Sequence, residues 1–422
     1  MTGNRKLQVS QQKATPVRYL TLLLLMTLSS AHVLSEDASW NQWRGPSRDG
    51  FWPGMLPEDL SRLELAWEKR LGPSYSGPVT DGKTIFTSET VDKTFERITA
   101  LDLATGEVRW TRQWEGAITV PGYAMANGSW IKSTPVLAEG SLVILGMRDE
   151  VVCLEPDTGG IRWKADPAER FNARRPPFGG VCSPLIDGGS VYVMAGGATV
   201  KLSLADGSTL WKTLDDEGDE DDALGCPVIE TITGTRQLVV PTRTRLCGVD
   251  LVDGSLLWSV RIEAYRNMNI LTPTVIGDRI YTAARGGRSQ CFEISKRGDD
   301  YVATESWNQN TQAYMSSPVT DGETIFVHNS NERLTALDAD DGKVLWTGKP
   351  LGKYLSFVRN DRVLLALNSE GELMSVEPSR DSLNIWAKRK VADDSWAHLG
   401  VFDGGILVRD LNALKVYRYD SP

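Results

Sequence analysis

Histidine is the side chain most often used for proton transfer and metal binding near neutral pH, and this 422-residue chain has only three. His32 lies in a leader segment, which leaves His328 and His398. Neither belongs to an HExxH motif or has a second histidine nearby, so we expect no metal site built from histidines. No GxSxG elbow, phosphate-binding loop or dinucleotide fingerprint is present. The sequence predicts no catalytic residues, although a Ser-His-Asp triad assembled from distant residues stays open.

Cysteine offers a second kind of chemistry, and the five cysteines are Cys153, Cys182, Cys226, Cys247 and Cys291. The number is odd and no pair has CxxC or vicinal spacing, which disfavours a metal or redox motif. We expect buried free thiols that act as small apolar residues. A disulfide between Cys182 and Cys226 stays open, because the chain begins with an export signal.

Carboxylates are concentrated in Asp215–Asp222, which reads DDEGDEDD. Such a run is either a calcium loop or a solvated acidic insertion. It lacks the ligand spacing of an EF-hand loop, which favours the insertion.

Met1–Ser35 has the features of a signal peptide rather than of a folded segment. A basic region containing Arg5, Lys6, Lys13 and Arg18 precedes the apolar core Tyr19–Leu28, which is too short to span a bilayer comfortably, although an uncleaved anchor stays open. No cysteine follows the core, so we expect no lipid anchor and a periplasmic or secreted protein without a stable membrane span. The formal net charge of -9 becomes near -13 without this segment, which argues against nucleic acid as a partner.

A repeated eleven-residue pattern organises the rest of the chain. Ala100–Trp110 reads ALDLATGEVRW, and copies occur at Cys153–Trp163, Lys201–Trp211, Gly248–Trp258 and Ala336–Trp346. In all five copies the tryptophan follows an acidic or hydroxyl residue by eight positions, with a glycine halfway between. Internal repeats of this length indicate a stacked or cyclic architecture.

Each repeat predicts four short strands, A to D. Strand A follows a proline, an Asp-Gly turn leads to strand B, strand C carries the acidic residue, and strand D ends at the tryptophan. The last unit lacks a fourth strand, and the early strand at Trp67 can supply it, which would remove the free edges of a ring. We predict an all-β, eight-bladed propeller of four-stranded antiparallel blades, closed by an N-terminal strand. The predicted boundaries are a signal at 1–35, an aromatic-rich strap at 36–64 and the propeller at 65–422.

The repeats resemble the PQQ-like (quinoprotein-type) β-propeller family, whose unit reads AxDxxTGxxxW. Its members include dehydrogenases that use pyrroloquinoline quinone (PQQ) and the cofactor-free outer-membrane assembly factor BamB. The resemblance implies that the turn glycine and the tryptophan dock one blade on the next. The docking residues that we expect from the repeats and this resemblance are Trp67, Gly106, Trp110, Gly159, Trp163, Gly207, Trp211, Gly254, Trp258, Trp307, Gly342, Trp346 and Trp386.

The same resemblance raises the question of a quinone centre. Such a centre needs PQQ, a divalent cation such as calcium and an aspartate base, and often a vicinal cysteine pair over the quinone. This chain has no adjacent cysteines and no recognisable trio of calcium ligands. We therefore expect no cofactor, with PQQ and calcium as the alternative.

Propeller topology places the D-to-A connections and the B–C turns on one face. These segments are long and rich in arginine and aromatic residues, which dominate binding interfaces. The predicted ligand or partner face comprises Tyr123, Trp130, Arg174, Arg175, Arg266, Asn267, Arg285, Arg288, Tyr314 and Tyr354. Its arginines would bind an anionic group, or would instead pair with the acidic run at Asp215–Asp222.

These observations predict an exported, monomeric, non-catalytic scaffold that binds a protein or an anionic or glycan ligand on this face. Two alternatives stay open. One is a PQQ- or metal-dependent oxidoreductase with a degenerate site. The other is a carbohydrate-binding module that stacks sugars on Tyr123, Trp130 and Tyr314.

Overall fold

The computed structural model describes residues 1–3, 39–215 and 224–419. The chain divides into two compact units, Met1–Glu36 and Asp37–Pro422. The predicted export signal after Gly3 and all of the acidic run except Asp215 lie outside the described residues.

The described part of the second unit forms 32 strands in eight antiparallel four-stranded sheets, as the repeats predicted. The first strand, β1, is Glu64–Arg70 and begins one residue before the predicted boundary of the propeller. Blade 1 contains β2 to β5, at Val79–Thr80, Thr84–Val91, Phe95–Asp102 and Val108–Glu115. Blade 2 contains β6 to β9, at Val136–Ala138, Ser141–Leu145, Val151–Leu154 and Ile161–Ala165. Blade 3 contains β10 to β13, at Leu185–Asp187, Ser190–Met194, Thr199–Ser203 and Thr209–Thr213. Blade 4 contains β14 to β17, at Val228–Ile232, Thr235–Pro241, Arg245–Asp250 and Leu256–Arg261.

The second half of the ring continues the same order. Blade 5 contains β18 to β21, at Thr274–Ile276, Arg279–Ala283, Ser289–Arg297 and Asp300–Gln309. Blade 6 contains β22 to β25, at Val319–Thr320, Thr324–His328, Arg333–Asp338 and Val344–Pro350. Blade 7 contains β26 to β29, at Leu355–Arg359, Leu364–Asn368, Glu372–Glu377 and Asn384–Lys390. Blade 8 contains β30 to β32, at Gly400–Phe402, Gly405–Asp410 and Ala413–Arg418, and takes β1 as its fourth strand.

The helices of the described residues are short and lie in the connections, at Leu60–Arg62, Gly122–Asn127, Pro167–Arg170 and Tyr265–Asn267. None of them has the length and apolar character needed to cross a lipid bilayer.

The ring closes because β1 pairs antiparallel with β32, so that Glu64 lies opposite Arg418. This pairing gives the last blade its outermost strand and leaves no open gap between the two ends of the sheet series. Edge pairing of this kind removes unpaired backbone groups from the ring. The prediction of closure by an N-terminal strand is confirmed.

A β-bulge accompanies the tryptophan of each repeat. In blade 1, Ala100 lies opposite Trp110, but the next residue, Leu101, lies opposite Val108. Blades 2 and 4 shift register at the same point, after Cys153 and Gly248. A bulge re-aims the side chain beside it, and here it turns the tryptophan toward the neighbouring blade.

The repeat glycines receive these tryptophan rings. Gly159 has a φ of 66°, and a methyl group on it would lie 2.4 Å from the ring of Trp110 in the preceding blade. The indole Nε1 of Trp110 donates to the carbonyl of Pro156, at 2.8 Å, in the same turn. Glycine is required there both for the left-handed backbone and for the space. The other ring-on-glycine pairs are Trp67 on Gly106, Trp163 on Gly207, Trp211 on Gly254 and Trp307 on Gly342.

Three of the expected docking tryptophans depart from this arrangement. Trp346 bonds to the carbonyl of Ser379, where blade 7 has no turn glycine. Trp258 is buried, but its Nε1 donates to Gln237 of its own blade at 2.6 Å, because the long hairpin of blade 5 offers no docking glycine. Trp386 is 43% exposed, because blade 8 takes its outer strand from the N-terminus and has no C–D hairpin there.

Candidate functional site

The central part of the predicted strap segment, Trp40–Gly54, lies along the innermost strands of the blades. We call this part alone the strap from here on. Its backbone bonds to three of them. Thr80 in blade 1 donates to Trp40 at 2.9 Å, Leu137 in blade 2 donates to Asn41 at 2.8 Å, and Arg359 in blade 7 donates to Gly50 at 2.8 Å. The strap therefore bridges blades at the axis of the ring.

Two arginines fix the middle of the strap, and both are almost completely buried. The guanidinium of Arg48 donates to the carbonyls of Ser183 and Pro184, both at 2.9 Å, in blade 3. Arg44 donates across the axis to the carbonyl of Pro318 in blade 6. Burial lowers the pKa of Arg44 to about 10, which leaves it charged at neutral pH. The strap is thus tied to opposite sides of the ring.

The strap separates two spaces at the axis. A small cavity of about 70 Å³ lies against Arg44, Ser47 and Arg48. An open cavity of about 190 Å³, which we call the funnel, lies on the face of the D-to-A connections and has Trp43 in its wall. The indole Nε1 of Trp43 donates to the hydroxyl of Thr272 at 2.9 Å and so fixes this ring at the base of the funnel.

All eight D-to-A connections contribute to the funnel wall. Six of them place there the residue three positions before the proline of strand A: Tyr75, Lys132, Val181, Leu224, Ile270 and Met315. Blades 7 and 8, which lack this proline, contribute Tyr354 and Trp396. The wall is therefore mainly apolar and aromatic, as in sites that bind through a buried anchor.

The aromatic side chains of the wall pack on one another. The rings of Tyr354 and Trp396 are stacked, 5.6 Å apart and 7° from parallel. Tyr75 lies 6.0 Å from Trp396 and makes an edge contact with Trp130 at 5.5 Å. Such mutual packing holds the rings rigidly, so a ligand would meet a preformed surface.

Lys132 is the charged residue of the described funnel wall. Its ammonium donates to the carbonyls of Gly128, Trp130 and Phe178 at 3.0 to 3.3 Å. Burial lowers its pKa to about 8, against the opposing effect of Glu96. The lysine thus links two loops of the rim and remains mostly protonated at neutral pH.

The predicted face residues divide between the funnel and its rim. Tyr314 and Tyr354 line the funnel, and Trp130 supports it through Tyr75. Tyr123 is 70% exposed and packs edge-on against Phe178.

One group of rim residues comes together beside the funnel. The guanidinium of Arg285 lies 5.3 Å from the ring of Tyr314 and 5.4 Å from that of Tyr265. The guanidinium of Arg266 also lies over the ring of Tyr265, at 5.4 Å. Stacked guanidinium groups keep their outer N–H donors available for an anion.

The other rim residues have separate local partners. Arg175 pairs with Asp166 at 2.6 Å, and Arg288 donates to Asn308 at 3.3 Å. The carbonyl of Asn267 accepts from Arg243 at 3.2 Å, and Arg174 lies in the loop after the Pro167–Arg170 helix. The arginines therefore surround the funnel rather than converge on one point.

Both histidines of the described chain are buried and structural in their contacts. The ring of His398 stacks on Trp40 at 6.0 Å, and Nδ1 pairs with the carbonyl of Leu399 at 2.8 Å. Burial lowers the pKa of His398 to about 3 and that of His328 to about 4, so both are neutral near pH 7. An imidazole whose pKa lies this far below neutral is a weak base at pH 7.

The funnel does not have the donor set of a quinone–calcium centre. Among its described lining residues there is no carboxylate or amide side chain, the ligands that calcium prefers. Across the described ranges, no group of three or more histidines, cysteines, aspartates and glutamates is arranged to hold a metal. The residues present do not fit this cofactor.

Sequence reasoning did not identify most of the funnel wall, including Trp43, Tyr75, Lys132, Cys226 and Trp396. A signal was present, since the strand-A prolines were recognisable and the funnel residue precedes each by three positions. The chemical variety of that position, from lysine to methionine, hid it from a search for repeated residue types.

Comparison with known proteins agrees with this architecture. The family model described as "Outer membrane protein assembly factor BamB" (PQQ_2) matches residues 94–348. A search of curated protein sequences gave no match.

Among solved structures, BamB from Moraxella catarrhalis matches with a TM-score of 0.62 at 14% identity, covering 85% of this chain and 98% of that one. The computationally designed protein Ika8 matches with a TM-score of 0.58 at 9% identity, covering 84% and 98%. The quinohemoprotein alcohol dehydrogenase from Comamonas testosteroni gives a TM-score of 0.49 at 12% identity, covering 91% and 81%. Likenesses at these identities show the fold alone.

Proposed function

Because this chain belongs to the PQQ-like repeat family of the outer membrane protein assembly factor BamB, we propose that it is a non-catalytic scaffold that binds a protein partner. The observation that carries the proposal is the funnel, where eight connections build one preformed aromatic cavity at the axis. The strap closes its base, so the funnel is a docking pocket rather than a passage.

The chemistry of the wall supports binding rather than turnover. Tyr75 and Tyr354 both have pKa values raised by burial, so neither is poised to act as a base. Lys132 is held by three carbonyls, which occupy its donors. The proposal therefore includes no cofactor and no catalytic residue.

The partner that suits this surface is a polypeptide segment with an apolar or aromatic anchor beside acidic residues. The anchor would enter the funnel and pack on Trp396 and Tyr354, since buried aromatic contacts dominate binding free energy. Acidic residues beside it would meet Arg266 and Arg285, which are stacked on Tyr265.

We further propose that the protein is exported to the periplasm or secreted and acts as a monomer. The support is the N-terminal signal pattern together with the family relationship. Fractionation of cells and light scattering of the purified chain would test the two parts of this proposal.

Site-specific photo-crosslinking tests the docking surface. A benzoylphenylalanine placed at Tyr314 should capture a discrete partner from the cell envelope. The same group at Val252, which is 83% exposed on a C–D turn of the opposite face, should not. Trp396→Ala should reduce capture at position 314 by roughly tenfold or more, since loss of a central aromatic anchor costs about 2 kcal/mol. Equal capture from both faces, or capture unaffected by Trp396→Ala, would contradict the proposal.

A carbohydrate ligand is a second candidate, favoured by the parallel, stacked rings of Tyr354 and Trp396 in the funnel wall. Flat aromatic surfaces of this kind suit the apolar face of a sugar ring. A glycan array probed with the wild type and with Trp396→Ala would separate the two. Signal lost in the variant would support the glycan, and signal equal to background in both would remove it.

A further inference from the structure

Two cysteines from neighbouring blades meet at the funnel wall. Cys182 precedes strand A of blade 3, and Cys226 precedes strand A of blade 4. The sulfur of Cys226 accepts a hydrogen bond from the backbone N–H of Ser183 at 3.2 Å, and the sulfur of Cys182 donates to the carbonyl of the same residue at 3.7 Å. Both thiols therefore lie against the same residue, Ser183, in the reduced protein.

The two thiols differ in access. Cys226 is part of the funnel wall, whereas Cys182 is completely buried behind it. A small reagent that enters the funnel therefore meets Cys226 before Cys182.

The buried guanidinium of Arg48 distinguishes this pair from the other cysteines. It is held beside the pair by the carbonyls of Ser183 and Pro184. Burial alone would raise the pKa of Cys226, but the hydrogen bond from Cys182 and the charge of Arg48 outweigh it and lower that pKa. By contrast, burial raises the pKa of Cys153 to about 11. The thiolate is the reactive form, so Cys226 is the favoured nucleophile.

We propose that Cys226 and Cys182 are a disulfide-exchange pair, in which Cys226 attacks an external disulfide and Cys182 resolves it. In the first step the Cys226 thiolate bonds to one sulfur of a small disulfide, whose other sulfur leaves as a thiol with the proton of Cys226. In the second step the Cys182 thiolate bonds to the Cys226 sulfur, and the remaining half leaves as a thiol with the proton of Cys182. The protein loses two electrons and two protons, which reduce one external disulfide to two thiols.

The crosslink would join the connections of two blades at one side of the funnel. It would fix Leu224 and Gly225, which lie in the wall next to Cys226. The inference does not depend on what the funnel binds, because it concerns only the thiols and a small disulfide.

Mass spectrometry of the full-length reduced protein tests the pair without any variant. The protein is incubated with 2-hydroxyethyl disulfide, quenched with acid and digested. A single new linkage should join the peptides of Cys182 and Cys226, and free thiols should fall from five to three. The oxidised protein should melt at a temperature higher by roughly 3–6 °C, and a reductant should reverse the change. Five unreacted thiols, or a linkage through another cysteine, would overturn the proposal.

Two variants and a matched control test the assigned order. Cys182→Ser should stop at a mixed disulfide on Cys226, whereas Cys226→Ser should leave Cys182 unmodified. Cys153→Ser removes a buried thiol elsewhere and should form the 182–226 linkage as the wild type does. A mixed disulfide on Cys182 in the Cys226→Ser variant would overturn the assignment of Cys226 as the attacking thiol.

Discussion

The outer parts of the blades and the axis of the ring are packed in opposite ways, by repeated residues at the outside and by varied residues at the axis. At the outside, one tryptophan and one glycine recur, as in Trp110 on Gly159 and Trp163 on Gly207. At the axis, the equivalent position changes from tyrosine to lysine, valine, leucine, isoleucine and methionine. A single inserted segment, the strap, closes the base of the funnel that these different residues line. Repetition therefore specifies the ring, and variation specifies the surface where a ligand can be distinguished.

Removing a strap tryptophan should have the largest effect on stability. Trp40 is 1% exposed and packs on His398 and Trp52. Trp40→Ala should lower the free energy of unfolding by about 3–5 kcal/mol, since it empties a large buried volume. Chemical denaturation would measure the loss. A loss below about 1 kcal/mol would show that the axis does not depend on the strap.

Replacing a docking glycine at the outside of the blades should have the second-largest effect on stability. Gly159→Ala must place a methyl group 2.4 Å from the ring of Trp110, in addition to straining a φ of 66°. We expect a loss of about 2–4 kcal/mol from strain and displaced packing. Gly277→Ala is the matched control, because its φ is 60° and the space beside it is open. Its loss should stay near 1 kcal/mol, and equal losses would mean that ring docking adds nothing.

A buried carboxyl gives a pH test of the contact between blades 1 and 2. Glu96 accepts hydrogen bonds from the backbone N–H of Met147 at 2.6 Å and from Trp114 at 3.1 Å, and burial raises its pKa to about 7. A carboxyl with a raised folded pKa stabilises most at low pH, and this contribution is lost as pH rises from about 4.5 through 7. The stability of the wild type relative to Glu96→Gln should therefore fall by about 2 kcal/mol between pH 5 and pH 8.

Thermal unfolding of both proteins in matched buffers would measure this difference. The comparison removes the contribution of His328 and His398, whose lowered pKa values act in both proteins alike. A difference that is constant with pH would show that Glu96 is ionised throughout.

The smallest effect is expected at the exposed tryptophan of blade 7. Trp386 is 43% exposed and has no docking glycine. Trp386→Ala should change the free energy of unfolding by less than about 1 kcal/mol, in contrast to the buried strap tryptophan. A loss as large as that of Trp40→Ala would show that docking does not need the glycine turn.

The fold could be predicted because its signal is local and repeated. The spacing of Asp102, Gly106 and Trp110 is enough to define the turn, the bulge and the docking contact in five copies. The same spacing did not predict that Trp258 and Trp346 meet no docking glycine, because the partner lies in the next blade and a single repeat carries no information about a neighbour's missing turn.

The sequence predicted which face of the propeller carries the candidate site, but not most of the residues that form it. Arginine and aromatic content located the D-to-A side, and Tyr314 and Tyr354 do line the funnel. The pairing of Tyr75 with Trp396, however, joins residues more than three hundred positions apart, and no local pattern relates them. The strap was recognisable as aromatic-rich, but its course through the axis depends on carbonyls from several blades.

The pairing of β1 with β32 also determines when the ring can close during synthesis of the chain. Glu64 finds its partner at Arg418, so β1 stays without its sheet until almost the whole chain has emerged. Contacts of such sequence separation form slowly, and an unpaired strand is prone to association with other chains meanwhile. We therefore expect the ring to close only after β32 is available to pair with β1.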